Sequence, residues 1–87
     1  MTRRALGPEV AAEAVNTVLQ STRSQFEPVT PDTPLAGVEL ESIDYVEVFI
    51  LIEDLTGAVF DLSAGLDDVV TVADLVRLRR LPAELER

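Results

Sequence analysis

Three prolines, at positions 28, 31 and 34, constrain this chain more than any other feature. Each removes a backbone donor and disfavours helix in the residue before it, so no helix can cross this stretch. Helical patterning lies on both sides. Pro8 and Glu9 suit a first turn, with Gly7 as a cap. Val10, Ala11, Ala14, Val15, Val18 and Leu19 then recur at helical spacing, with Glu9, Glu13, Asn16 and Gln20 on the other side. The spacing predicts a first helix over Pro8–Ser24 and a long loop over Phe26–Glu41. Loops of that length in compact domains are often functional.

A second helix is expected from Ser42 to Leu55 or Thr56, with Ser42 as N-cap, Asp44 complementing the helix dipole and Gly57 as its stop. Ile43, Tyr45, Val46, Val48, Phe49, Ile50, Leu51, Ile52 and Leu55 make it apolar over most of its circumference. Such a helix belongs in the centre of a core, with Val46, Ile50, Leu62 and Val69 among the core residues. Asp44, Glu47 and Asp54 share one stripe with Leu51 and leave it a single acidic edge. Val59–Leu62 reads as an extended connector that turns Phe60 and Leu62 inward. A short helical turn is expected around Ala64–Val69. Thr71 and Asp74 resemble a capping box opening a last helix that runs to about Leu81 and ends at Pro82. The expected fold is all-α: a small four-helix bundle of three longer helices and one short one. It forms a single domain over residues 1–87, with 1–7 and 82–87 as loose tails.

Composition excludes several function classes. The 87 residues include no Cys, no His and no Lys. A thiolate nucleophile, a sulfur-based zinc site and the commonest general base are therefore all missing. Asp67-Asp68 lacks the spacing of a calcium loop, and no glycine-rich phosphate loop is present. An enzyme or a metal site is not expected. The net charge of −9 argues against nucleic acid and anionic membranes. Twelve acids and no base lie between Arg23 and Arg77. This one-signed field favours partners with basic surfaces, although acidic surfaces also serve solubility. Arg3-Arg4 is not followed by the apolar run of a signal peptide, and Val46–Leu55 is too short to span a bilayer. The expected location is the cytoplasm.

The residues around Ser42 go further. Thr33-Pro34-Leu35-Ala36-Gly37-Val38-Glu39-Leu40-Glu41-Ser42-Ile43-Asp44-Tyr45-Val46-Glu47-Val48 resembles the signature of acyl carrier proteins, a T-P-L loop leading through D-S-L into an acidic D-x-V-E-L helix. Thr71-Val72-Ala73-Asp74-Leu75 resembles the opening of that family's last helix, and the resemblance covers roughly residues 8–81. It implies that Ser42 receives 4′-phosphopantetheine from coenzyme A, added by a phosphopantetheinyl transferase. The arm's thiol then holds acyl groups as thioesters. It further implies that Glu41, Ile43, Asp44, Glu47, Leu51 and Asp54 meet acyl-loading, condensing or tailoring enzymes with basic docking surfaces. In the family the acyl chain can fold back between the helices, which makes Val46, Ile50, Leu62 and Val69 alternative cavity-lining residues. The protein is expected to be monomeric.

Three residues depart from the pattern near the serine. Glu41 replaces the usual Asp, Ile43 the usual Leu, and Glu39 a common Gly; further on, Asp61 stands where many relatives have Pro. These changes point to a divergent, free-standing carrier with dedicated partners, in specialised metabolism such as polyketide assembly. The pattern typical of peptidyl carriers is absent, which mildly favours acyl over aminoacyl cargo. A carrier-like adaptor whose Ser42 is never modified is the alternative that the same residues leave open.

Overall fold

The computed structural model describes residues 4–61, 65–78 and 80. The architecture is all-α: α1 (Pro8–Thr22), a 3-10 helix at Leu35–Gly37, α2 (Ser42–Thr56) and a second 3-10 helix at Val72–Arg77. Among the described residues, extended pairing is confined to two isolated antiparallel bridges, Pro34 with Thr71 and Phe60 with Arg80.

Helix α1 starts where Pro8 supplies a preset φ and Gly7 offers its carbonyl to the amides of Val10 and Ala11, at 3.2 and 3.3 Å. Its expected apolar face, Val10, Ala11, Ala14, Val15, Val18 and Leu19, is buried throughout, joined by Ala12. The small residues on this face let the rest of the chain approach the helix axis closely. Both α2 and the final 3-10 helix pack against it. The helix ends two residues earlier than expected, as Arg23 turns extended and its amide reaches Leu19 O at 2.9 Å.

Helix α2 covers the predicted span. Val48, Phe49 and Ile52 form its buried face, and Gly57 closes it in the left-handed region at φ 81°. That geometry suits glycine and matches the expected stop. Phe60 turns inward as expected, its ring centroid 5.2 Å from that of Phe49 at a tilt of 52°. Leu62 lies outside the described residues. Val46 and Ile50 do not join the core: they are 42% and 51% exposed. The helix carries more apolar residues than one neighbouring helix can cover, so part of its circumference remains at the surface.

The segment after Thr71 is shorter and tighter than expected. The sequence V-x-x-L fits an α-helix, but it fits three residues per turn at least as well, because positions i and i+3 then eclipse. Val72 and Leu75 are both fully buried at that spacing, and Leu78 leaves in extended conformation. The capping box forms: Asp74 Oδ2 accepts the amides of Val70 and Thr71, each at 3.0 Å, and Oδ1 accepts Arg77 Nη1 at 3.0 Å. These backbone bonds, from Thr71 first and then Val70, hold the Asp74 carboxyl below its ordinary range. A depressed carboxyl favours the folded state above the unfolded pKa, and that contribution is lost as pH falls through the lower folded value. Residues 67 and 68 form a turn rather than a helix. Residue 64, where a helical turn was expected to begin, is outside the described residues, as are residues 81–87.

The proline-bearing loop is tied down rather than loose. Val29, Leu35 and Val38 are buried. Leu35 N donates to Val70 O at 2.8 Å, Val72 N to Thr33 O at 3.0 Å, and Ala73 N to Pro31 O at 2.9 Å. Asn16, expected on the polar face of α1, instead clasps Val29 from both sides: its Oδ1 accepts the Val29 amide at 2.8 Å and its Nδ2 donates to the Val29 carbonyl at 3.1 Å. The start of the chain is also fastened. Arg4 N donates to Leu55 O at 2.8 Å, Arg4 pairs with Glu13, and Leu6 packs on the core, so residues 4–7 are not a loose tail.

Asn16→Ala removes both bonds to Val29 and leaves a buried residue's amide and carbonyl without partners. The expected cost is about 2 kcal/mol, a fall in melting midpoint on the order of 10 °C for a domain of this size. Thermal denaturation followed by circular dichroism checks this, and an unchanged midpoint would show that the clasp is redundant.

Candidate functional site

The N-terminus of α2 is built by a reciprocal cap one residue earlier than expected. Glu41, not Ser42, is the N-cap. Its amide donates to Asp44 Oδ2 at 3.1 Å, and its own side chain faces the Asp44 amide in a capping box. Asp44 is thereby drawn inward and is 8% exposed. It was expected on the acidic docking stripe; the structure places it beneath the surface as part of the helix cap.

Ser42 is consequently the first residue of α2. It is exposed, and its hydroxyl makes no hydrogen bond among the described residues. It opens onto a cavity of about 270 Å³ lined by Leu40, Tyr45, Val46, Phe49 and Leu66. Of the residues expected to line such a space, Val46 does so. Ile50 lies on a groove of about 300 Å³ with Thr17, Val18, Ser21, Glu47 and Leu51, between α1 and α2. Val69 is half-buried and packs on the core.

Beside Ser42 runs an uncovered apolar stripe. Ile43, Val46 and Ile50 follow one another at helical spacing, with Ile43 61% exposed. Glu47 and Asp54 are exposed along one border, and Leu51 is half-buried there. Glu41 is exposed at the helix mouth. Of the six residues expected to meet partners, Glu41, Ile43, Glu47 and Asp54 are thus at the surface, Leu51 is partly so, and Asp44 is not. Glu53 is occupied elsewhere, since it accepts the Phe60 amide at 3.2 Å. Among the described residues no group of three or more acids could hold a metal ion.

The approach to Ser42 has an unexpected construction. Glu39 sits in the left-handed region at φ 58°. A side chain at that φ is strained, whereas glycine is not. Arg23, the only base between Arg4 and Arg77, braces the turn. Its Nη2 donates to Val38 O at 2.9 Å and to Glu39 O at 3.2 Å. Sequence reasoning did not find Arg23 or Tyr45. A solitary arginine in an acidic stretch was the available signal for the first, and a position one turn past Ser42 for the second.

Compared with protein-family models, curated proteins and solved structures, the chain matches none. A hydroxyl at a helix mouth, next to two outer amides without intrahelical partners, suits attachment of an anionic group. No hydrogen-bonded base accompanies Ser42 among the described residues, so a partner would have to supply one.

Glu39→Gly relieves left-handed strain of about 1–2 kcal/mol against roughly 0.5–1 kcal/mol of extra unfolded-state freedom. The variant should melt higher, by on the order of 5 °C. A lower midpoint would show that the turn is not strained.

Proposed function

We propose that the protein is an acyl carrier whose Ser42 bears a 4′-phosphopantetheine arm. The observation that carries this reading is the placement of Ser42: exposed, first in α2, with an uncommitted hydroxyl beside an apolar cavity. The residue types fit the group. The hydroxyl can be esterified without breaking a bond of the fold, and the helix N-terminus favours the resulting phosphodiester. When bound, the arm supplies the thiol that this cysteine-free chain lacks and holds the acyl group as a thioester. On this reading the final 3-10 helix stands at the position of the last helix of a carrier-type four-helix bundle.

The chain's own residues would do the rest. Ile43, Val46 and Ile50 offer an apolar strip to a docking enzyme, while Glu47 and Asp54 steer it through arginines or lysines on its surface. A small interface of this type lets the carrier leave after each reaction. Tethering raises the cargo's effective concentration at the docked active site. Among the described residues, no helix is long and apolar enough to cross a membrane. A cytoplasmic, monomeric carrier serving polyketide or other specialised-metabolite enzymes is the setting this reading favours.

Incubation with coenzyme A, magnesium and a permissive phosphopantetheinyl transferase tests the reading by intact mass. The wild type should gain one phosphopantetheine and Ser42→Ala none. Failure to gain mass, in the protein isolated from its host as well, would leave an unmodified docking adaptor. Glu47→Arg should leave the melting midpoint unchanged while slowing reactions with partner enzymes about tenfold through the association rate. Unchanged partner kinetics would remove the acidic border from the docking surface.

A further inference from the structure

We infer that Tyr45 selects the cargo, favouring acyl chains that carry a hydroxyl or ketone oxygen over saturated ones; this rests on the reading that Ser42 carries an acyl arm. The cavity beside Ser42 is walled by Leu40, Tyr45, Val46, Phe49 and Leu66. Four of those five side chains are hydrocarbon, and Tyr45 alone among them brings a hydroxyl. It lies one helical turn beyond Ser42, about 4.5 Å further along the axis. Tyr45 is half-buried, and among the described residues no side chain or backbone group engages its hydroxyl. The oxygen nevertheless still reaches solvent, because among the described residues no half-buried or buried polar side-chain atom is both sealed off and unpaired. Burial raises its pKa, so the phenol remains a neutral donor at physiological pH.

A chain entering this cavity would displace solvent water from the phenol. A saturated chain replaces that water with hydrocarbon and strands the donor, which is unfavourable for any buried hydroxyl. An oxygen on the cargo restores the bond. A wall made only of Leu, Val and Phe would draw no such distinction, since it rewards apolar area alone. The expected discrimination is about tenfold, which corresponds to about 1.4 kcal/mol. A site that offers a hydrogen bond rejects the analogue lacking the matching group more strongly than an apolar pocket rejects an added one.

The test uses a permissive phosphopantetheinyl transferase and magnesium to move the acyl-phosphopantetheine of octanoyl-, 3-hydroxyoctanoyl- or 7-hydroxyoctanoyl-coenzyme A onto Ser42, with release of 3′,5′-ADP, in the wild type and in Tyr45→Phe. Intact mass verifies each adduct. Cleavage of the thioester by hydroxylamine is then timed and divided by the rate for the same acyl-pantetheine free in solution. In the wild type at least one hydroxylated chain should be protected about tenfold better than octanoyl, and Tyr45→Phe should abolish the difference while keeping the ring. The amides of Tyr45, Phe49 and Leu66 should shift in the NMR spectrum of the wild type loaded with that chain, a reading that does not depend on the variant's folding. Equal protection of all three chains, or a difference that survives in Tyr45→Phe, would overturn the role of Tyr45 while leaving the carrier reading intact. No adduct on Ser42, either here or in the protein isolated from its host, would overturn both.

Discussion

The cap between Glu41 and Asp44 sets the phase of α2, and much of the molecule follows from that phase. Starting the helix one residue later would rotate every side chain by about 100° relative to the cap. Val48 and Ile52 would then leave the core, and Ser42 would lose its outward position. The cap holds because Asp44 reaches back to the Glu41 amide as the chain enters the helix. An acid at this point also complements the positive end of the helix dipole, which is why a nearly buried carboxylate is tolerated there.

Arg23 shows how the charge pattern and the fold depend on each other. It is the only base in a long acidic stretch, and its Nη2 is turned onto the carbonyls of Val38 and Glu39. Part of its donor capacity therefore braces the strained turn that leads to Ser42. The surface along α2 keeps a single sign of charge, broken by exposed Ile43, Val46 and Ile50 rather than by cations. Such a face combines long-range steering with short-range apolar contact.

Helical periodicity made α1 legible to within two residues and α2 nearly to its ends, because both are long and have strong punctuation at Pro8 and Gly57. It could not say which part of the apolar circumference of α2 would be covered. Val46 and Ile50 have core-like chemistry, yet they face outward because α1 occupies one side only. Asn16 shows the reverse: a polar residue on a helix looks solvated until the loop arrives to use both ends of its amide. The last helix is shorter than its pattern suggests because the spacing of Val72 and Leu75 serves either helical pitch.

The sequence by itself determined the helical class, the proline-enforced loop, the acidic field and the singular context of Ser42, since these depend on local backbone chemistry and on the order of residues along the chain. Tertiary structure alone decided that Asp44 is buried, that Glu39 is left-handed under Arg23, and that Tyr45 borders a cavity with its hydroxyl unbonded. Each of those outcomes depends on which segments meet across the fold. Contacts between residues distant in sequence leave no periodic trace in the chain that makes them.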